Sequence, residues 1–140
     1  MRRPLICVWR LHRWIYRLSG GRVGGRLIGM PVLLLTTVGR RSGRPHTNAL
    51  TYLPQGSDIV IIASNGGAPK HPDWFLNLRA HPDVTVELGR RRLAMRAREA
   101  TGPERETLWP RIVQMNSRYA GYQSRTTRRI PVVVLTAAGR

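Results

Sequence analysis

The sequence predicts a mainly β domain whose sheet closes or splits into a barrel, on three observations. Six short runs have strand character, helical patterns are few and short, and the 140 residues suit one domain. A chain of this length buries roughly two thirds of its unfolded surface in a single core, so a second full domain would not fit. There is no internal repeat, and no strand-helix alternation of the kind that builds a doubly wound sheet.

The first element departs from the β pattern. Residues 4–18, PLICVWRLHRWIYRL, open on Pro4, which suits a first helical turn, and stop at SGG, which suits a helix end. At about 100° per residue, Arg3, Arg10, Arg13 and Arg17 share an arc of roughly 80°, with apolar residues around most of the rest. This basic amphipathic helix either packs on the core with a solvated arginine stripe or lies on an anionic membrane surface. Its arginines interrupt the apolar run before it reaches the length of a membrane span or resembles a signal sequence. The expected location is therefore cytoplasmic, with peripheral contact to the inner face of the membrane as the helix's functional reading. Glycines 20, 21, 24, 25 and 29 form a connection, so residues 1–29 are read as an appendage to a domain of residues 30–140.

Strand character then appears in Val32 to Val38, Thr47 to Leu53, Asp58 to Ala63, Val84 to Leu88, Leu93 to Glu99 and Pro131 to Thr136. The fifth run alternates well, with Leu93, Met95 and Ala97 opposite Arg92, Arg96 and Arg98. Pro72 to Ala80 suits a short helix. A second helix is expected from TGPERETLW, with Thr101 and Glu104 in capping-box spacing and Pro110 limiting or kinking it.

Charge narrows the partners. The formal net charge is +17, and Lys70 is the only lysine among 24 basic residues. Seven carboxylates cannot neutralise that surface, which implies an anionic partner: nucleic acid, acidic lipid, or a phosphorylated or carboxylated small molecule. The lone cysteine, Cys7, excludes an internal disulfide, a CxxC redox pair and a multi-thiolate metal site, so redox chemistry would come from a bound cofactor. GRRSG is neither a nucleophile elbow nor a P-loop, and His12, His46, His71 and His81 lack metal-ligand spacing. No metal is expected.

Two stretches carry the chemistry. In TTVGRRSGRPHTNALTY, Gly39 and Gly43 allow a tight turn whose amides can converge on an anion. Ser42 adds a hydroxyl, and Arg40, Arg41 and Arg44 can fork onto phosphate or carboxylate oxygens. The bland alternative is a solvated basic hairpin turn. ASNGGAP supplies a second loop after a buried strand, where a planar ligand could pass close to Gly66 and Gly67, although NGG is also an ordinary turn.

Four stretches in register, LLLTTVGRRSGRPHTNALTYL, IASNGGAPKHPDWFLNLRAHPDVTVELG, ERETLW and YAGYQSRTTRRIPVVVL, closely resemble the deazaflavin-dependent nitroreductase family. That family is a branch of the split-barrel flavin and deazaflavin oxidoreductases, and the resemblance covers about residues 30–136. It implies an FMN-binding-like split β-barrel that binds reduced coenzyme F-420, an 8-hydroxy-5-deazaflavin with a phosphodiester, lactyl and polyglutamate tail. By this resemblance Arg40, Arg41, Ser42 and Gly43 hold the phosphate and the His46 position helps with the anionic tail; Arg44 joins them as a forked donor of the same turn. Ala63, Ser64, Asn65, Gly66 and Gly67 lie along the ring, as do Pro72, Trp74 and Asn77.

The implied reaction passes a hydride to a quinone, nitroaromatic or activated enone, with the chemistry supplied by the coenzyme. Tyr119 and Tyr122 are the implied donors on the acceptor side, and Ser64 is a second candidate. The bland alternative for the tyrosines is packing at helical i,i+3 spacing. His46 stands where the family commonly has arginine, Asn65 where some members have lysine, and Asn116 where some have an aromatic residue. Two alternatives belong to other classes. A basic nucleic-acid-binding barrel would show salt-dependent, saturable binding, and an FMN- or haem-binding split barrel would be coloured as purified.

Overall fold

The computed structural model describes residues 26–27 and 30–139. The expected amphipathic helix and most of the glycine-rich connection lie outside the described residues. Among the described residues seven antiparallel strands appear, in the order β1 (Arg26–Leu27), β2 (Met30–Val38), β3 (Pro45–Gln55), β4 (Asp58–Ile62), β5 (Asp83–Leu88), β6 (Arg91–Ala100) and β7 (Val132–Ala137). Three helices join them: α1 (Asp73–Ala80), α2 (Gly102–Met115) and α3 (Arg118–Ser124), with a 3₁₀ turn at Asn65–Gly67.

The sheet runs β1-β2-β3-β4-β7-β6-β5, and β5 pairs back onto β2, closing six strands into a barrel. The closing seam is short, with Leu34, Leu35 and Thr36 opposite Glu87, Val86 and Thr85, whereas β2 and β3 stay in register from Val32↔Thr51 to Val38↔Pro45. All six strands predicted from the sequence are present, within three residues at each end.

Side-chain alternation divides the core in two. Leu33, Leu35, Ile59, Ile61, Val86, Met95, Val133 and Leu135 point into the barrel, where Trp74, Phe75 and Leu78 of α1 join them. Val60, Ile62, Val132 and Val134 point outward under Leu108 and Ile112 of α2 and Tyr119 of α3. β4 and β7 are thus buried on both faces, which is why both read as unbroken apolar runs.

Two expectations for α2 change. Thr101 is the residue before the helix, but its side chain makes no capping bond. Glu104 instead turns to Arg98 of β6, with contacts of 2.5 and 2.9 Å that hold its carboxyl below the usual range. Pro110 does not end the helix, which continues to Met115. The proline lies on the exposed side, and buried Leu108 and Ile112 fix the turns around it, so only one backbone bond is forfeited.

Candidate active site

The turn between β2 and β3 and the start of α1 face one another across a cleft of about 610 Å³, lined by Arg40, Arg41, Ser42, His46, Trp74 and Asn77 among others. A larger cleft of about 900 Å³ lies beside it, with Leu50, Ile62, Ser64, Asn65, Gly66, His71 and Pro72 in its walls. Thr47, Asn48, Asp73 and Trp74 border both, so the two form one groove. One end carries the arginines, and the other mixes Gly66, Leu50, Ile62 and Trp74 with the polar Ser64, Asn65 and Lys70.

The basic end is built from side chains more than from amides. Gly39 N–H donates to Arg44 O at 2.8 Å, Gly43 N–H to Gly39 O at 2.9 Å, Arg44 N–H to Ser42 Oγ at 3.2 Å, and Arg40 N–H to Asn77 Oδ1 at 3.1 Å. The expected nest of converging amides is therefore reduced to those of Arg41 and Ser42. Arg40 is also committed, its guanidinium donating to Asn77 Oδ1 at 2.8 Å and reaching Asp73 at 3.4 Å. Asn77 is buried and donates onward to Thr37 Oγ1 at 3.3 Å, so Arg40 and Asn77 lock the turn to α1. Arg41, Arg44 and His46 are exposed, and the Ser42 hydroxyl lies 3.5 Å from His46 Nε2. Gly39 permits this crowding, because a Cβ there would stand 2.5 Å from Ser42 Oγ and 2.8 Å from His46 Nε2.

The other end is shaped by backbone. Asn65, Gly66 and Gly67 all have positive φ, at 48°, 64° and 82°. Gly67 is buried beneath α3, where a Cβ would lie 2.7 Å from Tyr122 O. Asn65 closes the loop by donating from Nδ2 to Lys70 O at 3.0 Å.

One residue outside the expected site holds this loop. Arg128, between α3 and β7, donates to Ala68 O at 2.8 Å, Ala63 O at 3.2 Å and Ser64 O at 2.6 Å, and to His71 Nδ1 at 3.0 Å. No local sequence signal marks it, because its partners lie some 60 residues earlier. The only hint is its place in TTRRIPVVV, immediately before a doubly buried strand.

The structure brings most of the sequence-predicted site residues together. Arg40, Arg41, Ser42, His46, Ser64, Asn65, Gly66, Pro72, Trp74 and Asn77 border the groove. Gly43 and Arg44 sit at the exposed end of the basic turn, and Ala63 and Gly67 are buried behind the second loop. Tyr119 and Tyr122 are not among the residues bordering either cleft. Tyr119 is buried in the outer core with its hydroxyl 2.7 Å from Thr51 Oγ1, and Tyr122 meets it edge-on at 5.7 Å. Burial pushes the Tyr119 phenol above its ordinary value, against the opposing hydrogen bond from Thr51. Asn116 ends α2, and its Oδ1 accepts from Arg118 N–H at 3.1 Å, away from the groove. Among the described residues no cluster of metal-ligating side chains occurs, and no helix is long and apolar enough to cross a membrane.

The closed six-strand barrel with a groove along it is a split β-barrel. The solved structure of HutZ, the haem storage protein from Vibrio cholerae, has the same fold at 17% identity, with a TM-score of 0.54 over 78% of this chain and 82% of that one. The chain belongs to the F420H(2)-dependent quinone reductase family, whose sequence profile matches residues 8–137. It is similar to an F420H(2)-dependent quinone reductase from Mycobacterium tuberculosis (strain ATCC 25618 / H37Rv), 45% identical over 131 residues, or 91% of this chain and 88% of the relative. It is also similar to a solved F420-H2 dependent reductase, FDR-A, with 40% identity and a TM-score of 0.69 over 75% of this chain and 93% of that one. The family resemblance seen in the sequence is thereby borne out.

Proposed function

We propose that the groove binds the reduced deazaflavin coenzyme with its anionic tail on the β2–β3 turn and its ring against the Ser64–Gly67 loop, and that the acceptor is a quinone. The observation that carries this reading is the continuity of the two clefts through Thr47, Asn48, Asp73 and Trp74. The residues present fit the coenzyme. Exposed Arg41 and Arg44 and the Ser42 hydroxyl suit phosphate and carboxylate oxygens. Gly66, with no side chain, and Leu50, Ile62 and Trp74 suit a flat heteroaromatic ring.

The coenzyme supplies the hydride when bound. The protein contributes position and polarity. Arg41, Ser42, Arg44 and His46 hold the tail, while Arg40 and Asn77 keep their turn at a fixed distance from Trp74. Pro72 and Asn65 border the ring, and Gly43, Ala63 and Gly67 shape the two loops from behind. Ser64 is the hydroxyl nearest the ring edge. Tyr119 and Tyr122 border neither cleft, so they act on the acceptor only once α3, packed behind Gly67, shifts toward the groove; Tyr119 then donates a hydrogen bond after its hydroxyl turns from Thr51. The amphipathic segment of residues 1–18 docks the protein on anionic membrane, where lipid quinones reside.

The decisive experiment is a fluorescence titration of the deazaflavin coenzyme with this protein, using FMN and an unrelated polyanion as controls. Saturable, coenzyme-selective binding that weakens in an Arg41→Ala/Ser42→Ala variant supports the reading, and equal binding of every polyanion refutes it. Flotation with anionic liposomes tests the membrane element separately, and lack of binding together with unchanged lipid-quinone turnover after deletion of residues 1–18 removes it.

A further inference from the structure

His71 borders the larger cleft beside Ser64, Asn65, Gly66 and Trp74, yet no sequence expectation gave it a role there. Its ring is half-buried and rests on Phe75, with centroids 4.9 Å apart and planes tilted by 55°. The Arg128 guanidinium lies 3.0 Å from Nδ1. A guanidinium can only donate, so Nδ1 must accept, and a neutral imidazole that accepts at Nδ1 carries its hydrogen on Nε2. Among the described residues no hydrogen bond reaches Nε2. The tautomer is thus chosen from behind, and an unused donor is left on a ring that borders the groove.

We propose that His71 is a specificity-determining residue of this groove: a neutral imidazole, fixed by Arg128 with its hydrogen on Nε2, that donates to an oxygen or unprotonated nitrogen on the edge of the bound heteroaromatic ring. This rests on the reading that the larger cleft holds the ring. A fixed neutral donor selects by shape. A ligand with an acceptor at that edge gains a hydrogen bond, and one presenting an N–H meets donor with donor. Arg128 is the positioning residue, and its bonds to Ala63, Ser64 and Ala68 keep the loop and the imidazole in one rigid frame.

The surrounding charges keep the ring neutral. Burial, then Arg128, then Arg79 of α1 lower the His71 pKa from 6.5, with Glu99 of β6 opposing. Neighbouring Lys70 adds positive charge, and Asp73 at the head of α1 borders the same cleft. Protonation would put an N–H on Nδ1 against the Arg128 N–H and break the frame. Ring affinity should therefore fall as pH drops below the ordinary histidine range.

The test has two readouts on the full chain. Imidazole ¹⁵N NMR of the ligand-free protein is expected to show His71 as the Nε2–H tautomer with a midpoint below 6.5. An Nδ1–H tautomer overturns the proposal. In coenzyme titrations His71→Phe is expected to weaken binding roughly tenfold, about the worth of one hydrogen bond, and His71→Gln, which keeps an amide donor, to recover part of it. Unchanged affinity in His71→Phe, with the wild-type chain binding well, overturns the role of His71 and leaves the cleft assignment standing. No binding by the wild-type chain overturns both.

Discussion

The two ends of the groove use arginine in opposite ways. At the β2–β3 turn, Arg41 and Arg44 are exposed, and the hydrogen bonds that shape the turn come from Gly39, Arg40, Gly43 and Asn77. At the Ser64–Gly67 loop a single arginine, Arg128, is spent on three backbone carbonyls and a histidine. The first end keeps charge available for a ligand, and the second converts charge into shape. With so many arginines in one chain, a count of positive residues cannot distinguish the two uses; the partners of each guanidinium can.

The largest effect expected from breaking this contrast is at Arg128. Arg128→Met takes this donor from the carbonyls of Ala63 and Ala68 and one of two donors from Ser64 O, which keeps Gly67 N–H, and partial access to water limits the cost to roughly 2–4 kcal/mol. Urea denaturation should show this as a lower midpoint, with coenzyme affinity falling in parallel.

Arg41→Ala/Arg44→Ala should behave the other way. Stability should stay within about 0.5 kcal/mol of wild type, since neither side chain is buried. Coenzyme affinity should fall about 10–100-fold, with a shallower salt dependence, because charge-assisted contacts are lost. If this variant instead melted like Arg128→Met, the division of labour would be wrong.

Gly39→Ala is intermediate in character. The added methyl must displace Ser42 or His46, so affinity should drop several-fold, at a stability cost of about 1 kcal/mol. The smallest effect concerns pH. Because the His71 pKa is lowered in the folded state, protons bind the unfolded chain more readily, and stability is lost as pH falls from 6.5 through the lowered value. Comparing urea midpoints of wild type and His71→Gln across that range should show the slope in wild type alone.

Much of the fold was legible because β4 and β7, buried on both faces, write themselves as apolar runs, and β6 alternates cleanly. Pro110 misled because tertiary packing of Leu108 and Ile112 outweighs one missing backbone bond. The Thr101–Glu104 spacing misled because a cross-element arginine, Arg98, competes for the glutamate. The basic turn stood out as a local cluster. The way its amides were spent did not, since that depends on Asn77, 37 residues from Arg40. Arg128 and His71 were hidden for the same reason: their pairing exists only after the barrel has brought the end of the chain back over its middle.

The doubly buried strands carry a liability that exists only while the chain is unfolded. IVIIA and VVVLTA combine high β-propensity with no internal charge and no proline, the composition that stacks into fibrils when exposed. Asp58 precedes the first, and Arg128 and Arg129 precede the second, where like-charge repulsion opposes alignment of neighbouring chains. Arg128 thus guards the unfolded chain against aggregation before it frames the groove in the folded one.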